Sequence, residues 1–439
     1  VFSLEDEYTG EKIGSKLERI REIMKENGCN AHVLSSLDDI AWLLNIRGND
    51  IAYCPLVLSY AIVYNNSVEL FADIRKFSDD IVNSLAENQV KIYPYEDIYR
   101  KVSEMTSEDK LLLDSSIMNY SLYQSISKET VIVDKQNPEI LMKSVKNETQ
   151  AENLRKAHLK DAVAHTKFMY WLKKNIGRVE ITELSASARL EGLRAEQEHF
   201  LGPSFGPISA YGEHGAIVHY SADEKSNVPL KEGKLFMTDT GGHYLEGSTD
   251  ITRTVALGEV GNIEKEHFTL VARAMLRLAN TVFLYGCSGA NLDCIAREVF
   301  WKEGLNFNHG TGHGVGYLLN IHEGPINFRW KEGERPAPAL EENMVITDEP
   351  GIYIEGSHGI RLENELLVRK TVKNEYGQFM NFEILTYVPI DLDAILPEKM
   401  STEEKEMLNH YHKQVYEKVS PYLSEEERIW LKEYTRAVK

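Results

Sequence analysis

Cysteine is scarce in this sequence. Four occur in 439 residues, Cys29, Cys54, Cys287 and Cys294. They are too few and too scattered for a disulfide framework, which points to a reducing, cytoplasmic setting. Long apolar runs are missing as well. None approaches the ~20 residues a membrane helix needs, and the start carries no signal-like pattern, so no membrane partner is expected. Positive charge is in deficit: 49 Lys and Arg stand against 68 Asp and Glu, a net charge of −19. That balance leaves no basic stripe to neutralise phosphates and excludes a nucleic-acid partner. Internal repeats and low-complexity segments are also lacking. What remains, 42% hydrophobic and 27% charged residues, is the composition of a soluble globular protein. The length predicts two or three domains. The chain opens on Val1 rather than Met, as a processed protein or a fragment would.

Periodicity divides the chain into three regimes. In "EKIGSKLERIREIMKENG" (11–28), Ile13, Leu17, Ile20, Ile23 and Met24 recur at helical spacing and Gly28 is a stop signal. "AHVLSS", "LVLSYAIVY", "SVELFAD" and "TVIVD" read as strands and "DDIAWLLNI" as a short helix. Asn65 and Asn66 form a hairpin turn between the second and third strands. This mixed pattern predicts an α/β domain over 1–138, closed near Pro138. A long amphipathic helix follows, then "TELSASARLEGLRAEQ", a helix capped by Thr182. From Phe200 to about Leu392 the chain is rich in glycine and strand-like segments, broken by the helix "EKEHFTLVARAMLRLANTVF". From about 396 a tail of two helices is expected, the second opening on a capping box at Ser424.

Four stretches carry chemistry. In "LFMTDTGGHYLEGSTDITRTVALG", Asp239 and Asp250 sit on two short strands joined by a glycine turn. Val255 and Leu257 predict burial, and a buried carboxylate without a partner is costly. In "NHGTGHGVGYLLNIHEGP", His309 and His313 are four apart. Gly310, Gly312, Gly314 and Gly316 disfavour a helix by about 1 kcal/mol each, so extended alternation is expected. It would place His309, Thr311 and His313 on one side and bare backbone on the other, as close approach of a strand or ligand requires. "VITDEPGIYI" is an apolar strand ending on Glu349. In "GIRLENELLV", period two gives Arg361, Glu363 and Glu365 one face and Ile360, Leu362 and Leu366 the other.

Each of these residues has a bland reading. An aspartate in a turn is usually a turn former, a histidine in a glycine-rich loop is usually structural, and Glu363 could pair with Arg361 along its strand. The set reads differently. Four carboxylates converging in one fold would repel unless neutralised. Their charge matches two divalent cations, with neutral His313 as the nitrogen ligand. Oxygen-rich ligation with one imidazole suits Mn²⁺, with Co²⁺ or Zn²⁺ as substitutes.

The order Asp239, Asp250, His313, Glu349, Glu363, with the aspartates 11 apart and the glutamates 14 apart, resembles the metal ligands of the pita-bread metallopeptidases. "GSTDITRT", "HGTGHGVGYLLNIHEGP", "DEPGIY" and "GIRLENELLV" are most similar to aminopeptidase P, the Xaa-Pro aminopeptidases. The "LSYAIV", "NETQAENLRKAHLKDAVA" and "FEILTYVPID" segments extend the likeness over nearly the whole chain. The resemblance implies an α+β, pita-bread catalytic domain over 139–439, preceded by the smaller α/β domain and ending in the helical extension. It implies hydrolysis of the N-terminal Xaa-Pro bond of peptides by a hydroxide bridging two divalent ions. Asp239 would bind one ion, Asp250 and Glu363 would bridge both, and His313 and Glu349 would complete the other shell. Glu349 would also shuttle the proton. His219 and His322 would hydrogen-bond the scissile carbonyl and the tetrahedral intermediate, His309 would line the substrate pocket, and Arg361 would orient a bridging carboxylate. A homodimer is implied too. Long family forms carry one more α/β domain ahead of the one that starts here, so substrate-length selection is left open. Glu213 and His214 stand where the family would have something like Pro-Asn, and loop decoration is expected of them. Two other functions compete: a prolidase acting on Xaa-Pro dipeptides, and a pita-bread binding module without catalysis, which the complete ligand set disfavours. A methionine aminopeptidase would lack the α/β domain in front.

Overall fold

The computed structural model describes every residue except 332, 334 and 335. The chain forms two compact units, Val1–Gln150 and Ala151–Lys439. The first is built on six strands: β1 (Ala31–Leu34), β2 (Ser59–Tyr64), β3 (Val68–Ala72), β4 (Val90–Tyr93), β5 (Lys110–Leu113) and β6 (Val131–Asp134). Across the sheet they run β4-β3-β2-β1-β5-β6. β2 and β3 make the expected hairpin, with Val63 opposite Val68. The outer strands join in parallel, which requires crossover connections and gives the α/β character. Helix α1 (Ile13–Glu26) buries Ile13, Leu17, Ile20 and Met24 on one face, and Gly28 follows it in the left-handed region at φ +63°.

This unit runs past the boundary expected at residue 138. Helix α2 (Leu37–Leu43) and helix α3 (Pro138–Ser144) are joined through buried charges. Lys143 Nζ lies 2.9 Å from Asp39 Oδ1, and His32 Nε2 lies 3.2 Å from Glu139 Oε2. All four residues are buried. A helix that carries two charged side chains into a core belongs to that core, and Pro138 opens the helix at its first position rather than closing a domain.

The second unit begins with the long helix α4 (Glu148–Asn175) and with α5 (Glu183–Ala195). Thr182 caps α5 by accepting from the Ser185 N–H while Ser185 reciprocates. Strands β7 (Ile208–Tyr211), β8 (Lys234–Thr240) and β9 (Ile251–Leu257) form an antiparallel sheet in that order. Helices α6 (Asn262–Ala279) and α7 (Gly289–Trp301) follow. A second, six-stranded sheet takes β10 (Gly312–Gly314), β11 (Glu323–Phe328), β12 (Val345–Asp348), β15 (Asn364–Asn374) and β16 (Gly377–Ile384), in the order β16-β15-β12-β10-β11. Its outer edge, beside β16, is the two-residue strand Phe283–Leu284. Pairing of Phe283 with Met380 therefore takes the residues that periodicity assigned to the end of α6. Between β12 and β15 lies a separate hairpin, β13 (Gly351–Ile354) with β14 (His358–Arg361). Helices packed on antiparallel sheets make this unit α+β. The tail forms α8 (Thr402–Val419) and α9 (Glu425–Tyr434), opened by capping boxes at Ser401 and Ser424.

The Asp39–Lys143 pair yields a stability prediction. Lys143→Ala removes the ion-pair partner of the buried Asp39 carboxylate and leaves it Asn137 Nδ2, 2.9 Å away, which should cost about 3–5 kcal/mol. Asp39→Asn combined with Lys143→Met should recover most of it. Denaturant unfolding of the two variants measures both terms.

Candidate metal centre

Sheet register brings the two aspartates together. Asp239 lies opposite Thr252 in the β8–β9 ladder and Thr240 opposite Ile251. Asp250, one residue before β9, therefore projects from the same end of the ladder as Asp239. His313 is central in β10, where Gly312 is required: a Cβ there would lie 1.8 Å from the Thr347 carbonyl oxygen of β12. Removing that side chain lets β10 approach β12 and sets His313 beside Glu349, which directly follows β12. The strand expected through 360–366 is broken. β14 ends at Arg361 and β15 begins at Asn364, with the Glu363 N–H donating to the Thr252 carbonyl at 3.1 Å. The break turns Glu363 toward the aspartates.

These elements close around a cavity of about 520 Å³. Its wall contains Asp239, Asp250, His313, Glu349 and Glu363, and also His219, His309, His322 and Arg361. Every site residue expected from the sequence thus faces one space. Thr311 and Glu365 do not line it. Thr311 is buried, its N–H donating to the Phe328 carbonyl at 2.8 Å, and the break at residues 362 and 363 leaves Glu365 behind Asp250. His214 is absent from the wall as well. Its Nδ1 lies 2.8 Å from Glu183 Oε1 and its ring stacks on Tyr220 with centroids 4.5 Å apart, so it serves the buried Glu183 cluster rather than decorating a loop.

The donors are arranged for a cation. Ligand atoms of Asp250, His313 and Glu363 all lie within 4.8 Å of one another. His313 Nδ1 is 2.9 Å from the Gly314 carbonyl, so it must carry the proton, and in the neutral ring Nε2 presents a lone pair. That lone pair faces Asp250 Oδ2 at 3.6 Å and Glu349 Oε1 at 3.7 Å. Burial lowers the His313 pKa to about 4, so the ring is not its own cation at neutral pH. Asp250 and Glu363 are in hydrogen-bond contact with each other, which two carboxylates can sustain only by sharing a proton or a cation. Burial, and then the neighbouring carboxylates, push both well above the ordinary range. Burial pushes Glu349 up to about 7. Asp239 Oδ2 pairs with Arg361, while its Oδ1 is buried without a hydrogen-bond partner among the described residues. An orphaned carboxylate oxygen, a lone pair aimed at carboxylates and a proton-sharing pair are all satisfied by divalent cations. The residues fit such ions.

Around this cluster runs a supporting layer that sequence reasoning did not find. Thr252 donates to Glu363 Oε2 at 2.7 Å and Thr347 to Glu349 Oε1 at 3.4 Å. Each threonine stands two residues from an acidic candidate, a period-two signal that was there to be read. Tyr353 carried no such signal. Its hydroxyl accepts from Arg361 Nη1 at 2.8 Å and lies 2.8 Å from His309 Nε2. His309 Nδ1 contacts the Gly310 carbonyl at 2.7 Å, so Nε2 accepts from Tyr353. Burial holds His309 near pKa 4 and raises Tyr353 to about 12. The pocket histidine and Asp239 are therefore joined through Tyr353 and Arg361. Arg297, ion-paired to Asp293 at 2.6 Å within α7, fixes the His309 carbonyl at 2.7 Å. His219 follows a 3₁₀ turn that presses on β14. Gly359 permits the contact, since a Cβ would meet the Gly215 carbonyl.

Residues 152–370 match metallopeptidase family M24, residues 1–150 the creatinase/prolidase N-terminal domain, and residues 378–438 the C-terminal region of peptidase M24. The chain is 36% identical to Xaa-Pro aminopeptidase 1 of Dictyostelium discoideum over 428 residues, covering 96% of this chain and 68% of that one. The chain belongs to the M24 metallopeptidases, on their Xaa-Pro aminopeptidase branch. Aminopeptidase P1 of Arabidopsis thaliana is 34% identical over 98% of this chain and 74% of its own. Among solved structures, the X-prolyl aminopeptidase of Caenorhabditis elegans, described as a cytosolic enzyme with a di-nuclear active site, superposes with a TM-score of 0.93 at 34% identity. The match covers 100% of this chain and 72% of that one. The Xaa-Pro dipeptidase of Bacillus anthracis gives a TM-score of 0.67 at 25% identity over 87% of this M24 chain.

The raised carboxylates yield a pH prediction. A group whose folded pKa is raised binds its proton more tightly in the native state, so stability falls as pH rises toward that pKa. The lowered histidines oppose this only below pH 6.5, their ordinary value. From about pH 6.5 to pH 8 the metal-stripped protein should therefore fall progressively behind protein supplied with Mn²⁺ in transition temperature, a difference to which buried Lys16, lowered to about 7 in both samples, does not contribute. Thermal unfolding with chelator and with Mn²⁺ compares the two.

Proposed function

We propose that this M24 metallopeptidase is a Xaa-Pro aminopeptidase, removing the first residue of peptides whose second residue is proline. The observation that carries the reading is the His313 Nε2 lone pair facing two carboxylates inside a cavity that also holds Asp239 and Glu363. Asp239, Asp250, His313, Glu349 and Glu363 would hold two divalent ions, with Mn²⁺ preferred for so oxygen-rich a donor set. Such ions supply Lewis acidity, polarising a carbonyl and acidifying water.

The chain's own residues do the rest. Glu349 accepts the proton released by the attacking water and returns it to the departing proline nitrogen, so that water is added across one amide bond. Its carboxyl is placed for this in the cavity wall, beside His313 Nε2. His219 and His322 donate to the carbonyl oxygen as negative charge develops there. Arg361 fixes Asp239 and, through Tyr353, the His309 ring. Phe205, Ile208, Val218 and Ile326 give the cavity an apolar wall. Proline brings no N–H, so such a wall leaves no donor unsatisfied. A cytosolic setting belongs to the same proposal, supported by relatedness to the nematode enzyme, which is described as cytosolic, and by the scattered cysteines; the homodimer rests on the family resemblance alone.

His313→Ala or Glu349→Ala should reduce turnover at least 10³-fold while leaving the circular dichroism spectrum unchanged. On substrates, the Mn²⁺-loaded protein should release the first residue of a Xaa-Pro-Xaa tripeptide and spare Xaa-Ala-Xaa. Mass spectrometry of the products distinguishes this from a preference for the Xaa-Pro dipeptide, which would make the protein a prolidase.

A further inference from the structure

The buried face of α4 is polar where it meets the metal-centre strands. His158 and Asp161, three residues apart on that helix, are both fully buried. Asp161 accepts from Arg194 Nε at 2.6 Å and from the Thr249 hydroxyl, so it grips the residue preceding Asp250. His158 Nε2 lies 3.1 Å from Glu365 Oε2, at ion-pair distance though off the line of a hydrogen bond. The other Glu365 oxygen accepts the Asp250 backbone N–H at 2.6 Å.

Glu365 is fully buried and does not reach the cavity. Its own N–H donates to Thr386 Oγ1 at 2.9 Å and its carbonyl accepts from Leu385, so its backbone is fixed from the neighbouring strand. A buried carboxylate at this position needs a reason, because a leucine would fill an apolar β15 more cheaply. The reason lies in the Asp250 N–H. Asp250 sits one residue outside the β9 ladder, so no strand offers that N–H an acceptor. Glu365 Oε1 supplies that acceptor at 2.6 Å, and the bond fixes the Cα from which the Asp250 carboxyl swings.

We propose that Glu365, packed beside His158, is a positioning residue that sets Asp250 in the geometry needed to bind the cations. The inference rests on the reading of the cluster as a metal centre. Glu365 acts through the main chain of Asp250 and touches neither substrate nor ion.

The test is calorimetric titration of Mn²⁺ into the metal-stripped full chain. The proteins compared are wild type, Glu365→Gln, and the double variant His158→Leu with Glu365→Leu. Gln keeps an acceptor oxygen for the Asp250 N–H, so its Mn²⁺ affinity should stay within about threefold of wild type. The double variant removes both buried ionisable groups together, an exchange that preserves folding better than removing one. It should bind Mn²⁺ about 10- to 100-fold more weakly, as loss of a residue that orients a ligand does, with an unchanged circular dichroism spectrum. A folded double variant with wild-type affinity would overturn the proposal. So would a Glu365→Gln protein weakened tenfold or more, which would mean that charge rather than the hydrogen bond matters, and this arm stands whether or not the double variant folds. Failure of wild type to bind Mn²⁺ would instead overturn the metal-centre reading, and this inference with it.

Discussion

Four carboxylates and an imidazole lone pair occupy one buried space, and their mutual repulsion is the constraint on which the second unit depends. Desolvation alone makes each ionised carboxylate expensive. Crowding them adds like-charge repulsion that falls slowly in a medium of low dielectric. The protein pairs Arg361 with Asp239 and sets Arg361 and Arg329 near enough to offset part of the charge on Glu349, while Asp250 and Glu363 are left facing other carboxylates. The donors are therefore held in place by the surrounding structure rather than by attraction for one another.

That restraint is visible in how many elements converge on the cluster. Arg253, in the middle of β9, is fully buried and ties three segments together. Its guanidinium donates to the Glu363 carbonyl at 2.6 Å, to Asn364 Oδ1 at 2.8 Å, to the Val388 carbonyl at 2.8 Å and to the Tyr411 hydroxyl at 2.7 Å. Tyr411 stands on α8, so the helical extension is built into the support of Glu363 rather than appended to it. On the other side, α4 reaches Thr249 through Asp161 and the Asp250 N–H through Glu365. A cluster that repels itself is fixed at its backbone from both flanks, which is what rigid presentation of ligands to an ion requires.

The sequence made the donors legible for a physical reason. Charged residues in apolar strands and glycine-rich loops contradict their local context, and such contradictions mark functional sites. Asp239, Asp250, His313, Glu349 and Glu363 all stood out in this way. Alternation failed where strands break or change partners. Arg361, Glu363 and Glu365 were assigned one face, but the interruption at residues 362 and 363 turns Glu363 toward the cavity and leaves Glu365 behind Asp250. Tyr353 was not legible, because its role depends on hairpin register with β14 and on contact with His309, 44 residues earlier. The boundary at 138 misled for a similar reason. The ion pair Asp39–Lys143 spans 104 residues, and no local pattern announces a partner so distant.

The histidines divide by what their second nitrogen does, and this division explains how neutral rings serve an anionic site. His313 and His309 each give Nδ1 to the carbonyl of the following glycine, 2.9 Å and 2.7 Å away. The same local geometry fixes the same tautomer in both rings and frees Nε2. In His313 that nitrogen meets carboxylates, and a cation held among them would satisfy it. In His309 it meets the Tyr353 hydroxyl, which is itself held by Arg361, so the ring is satisfied without an ion and remains part of the wall. Gly314 also lets β10 lie close to β11, since a Cβ there would sit 2.3 Å from the Glu323 carbonyl oxygen. The glycine-rich stretch therefore sets the same tautomer in both rings, and the partner across the cavity decides what each Nε2 meets.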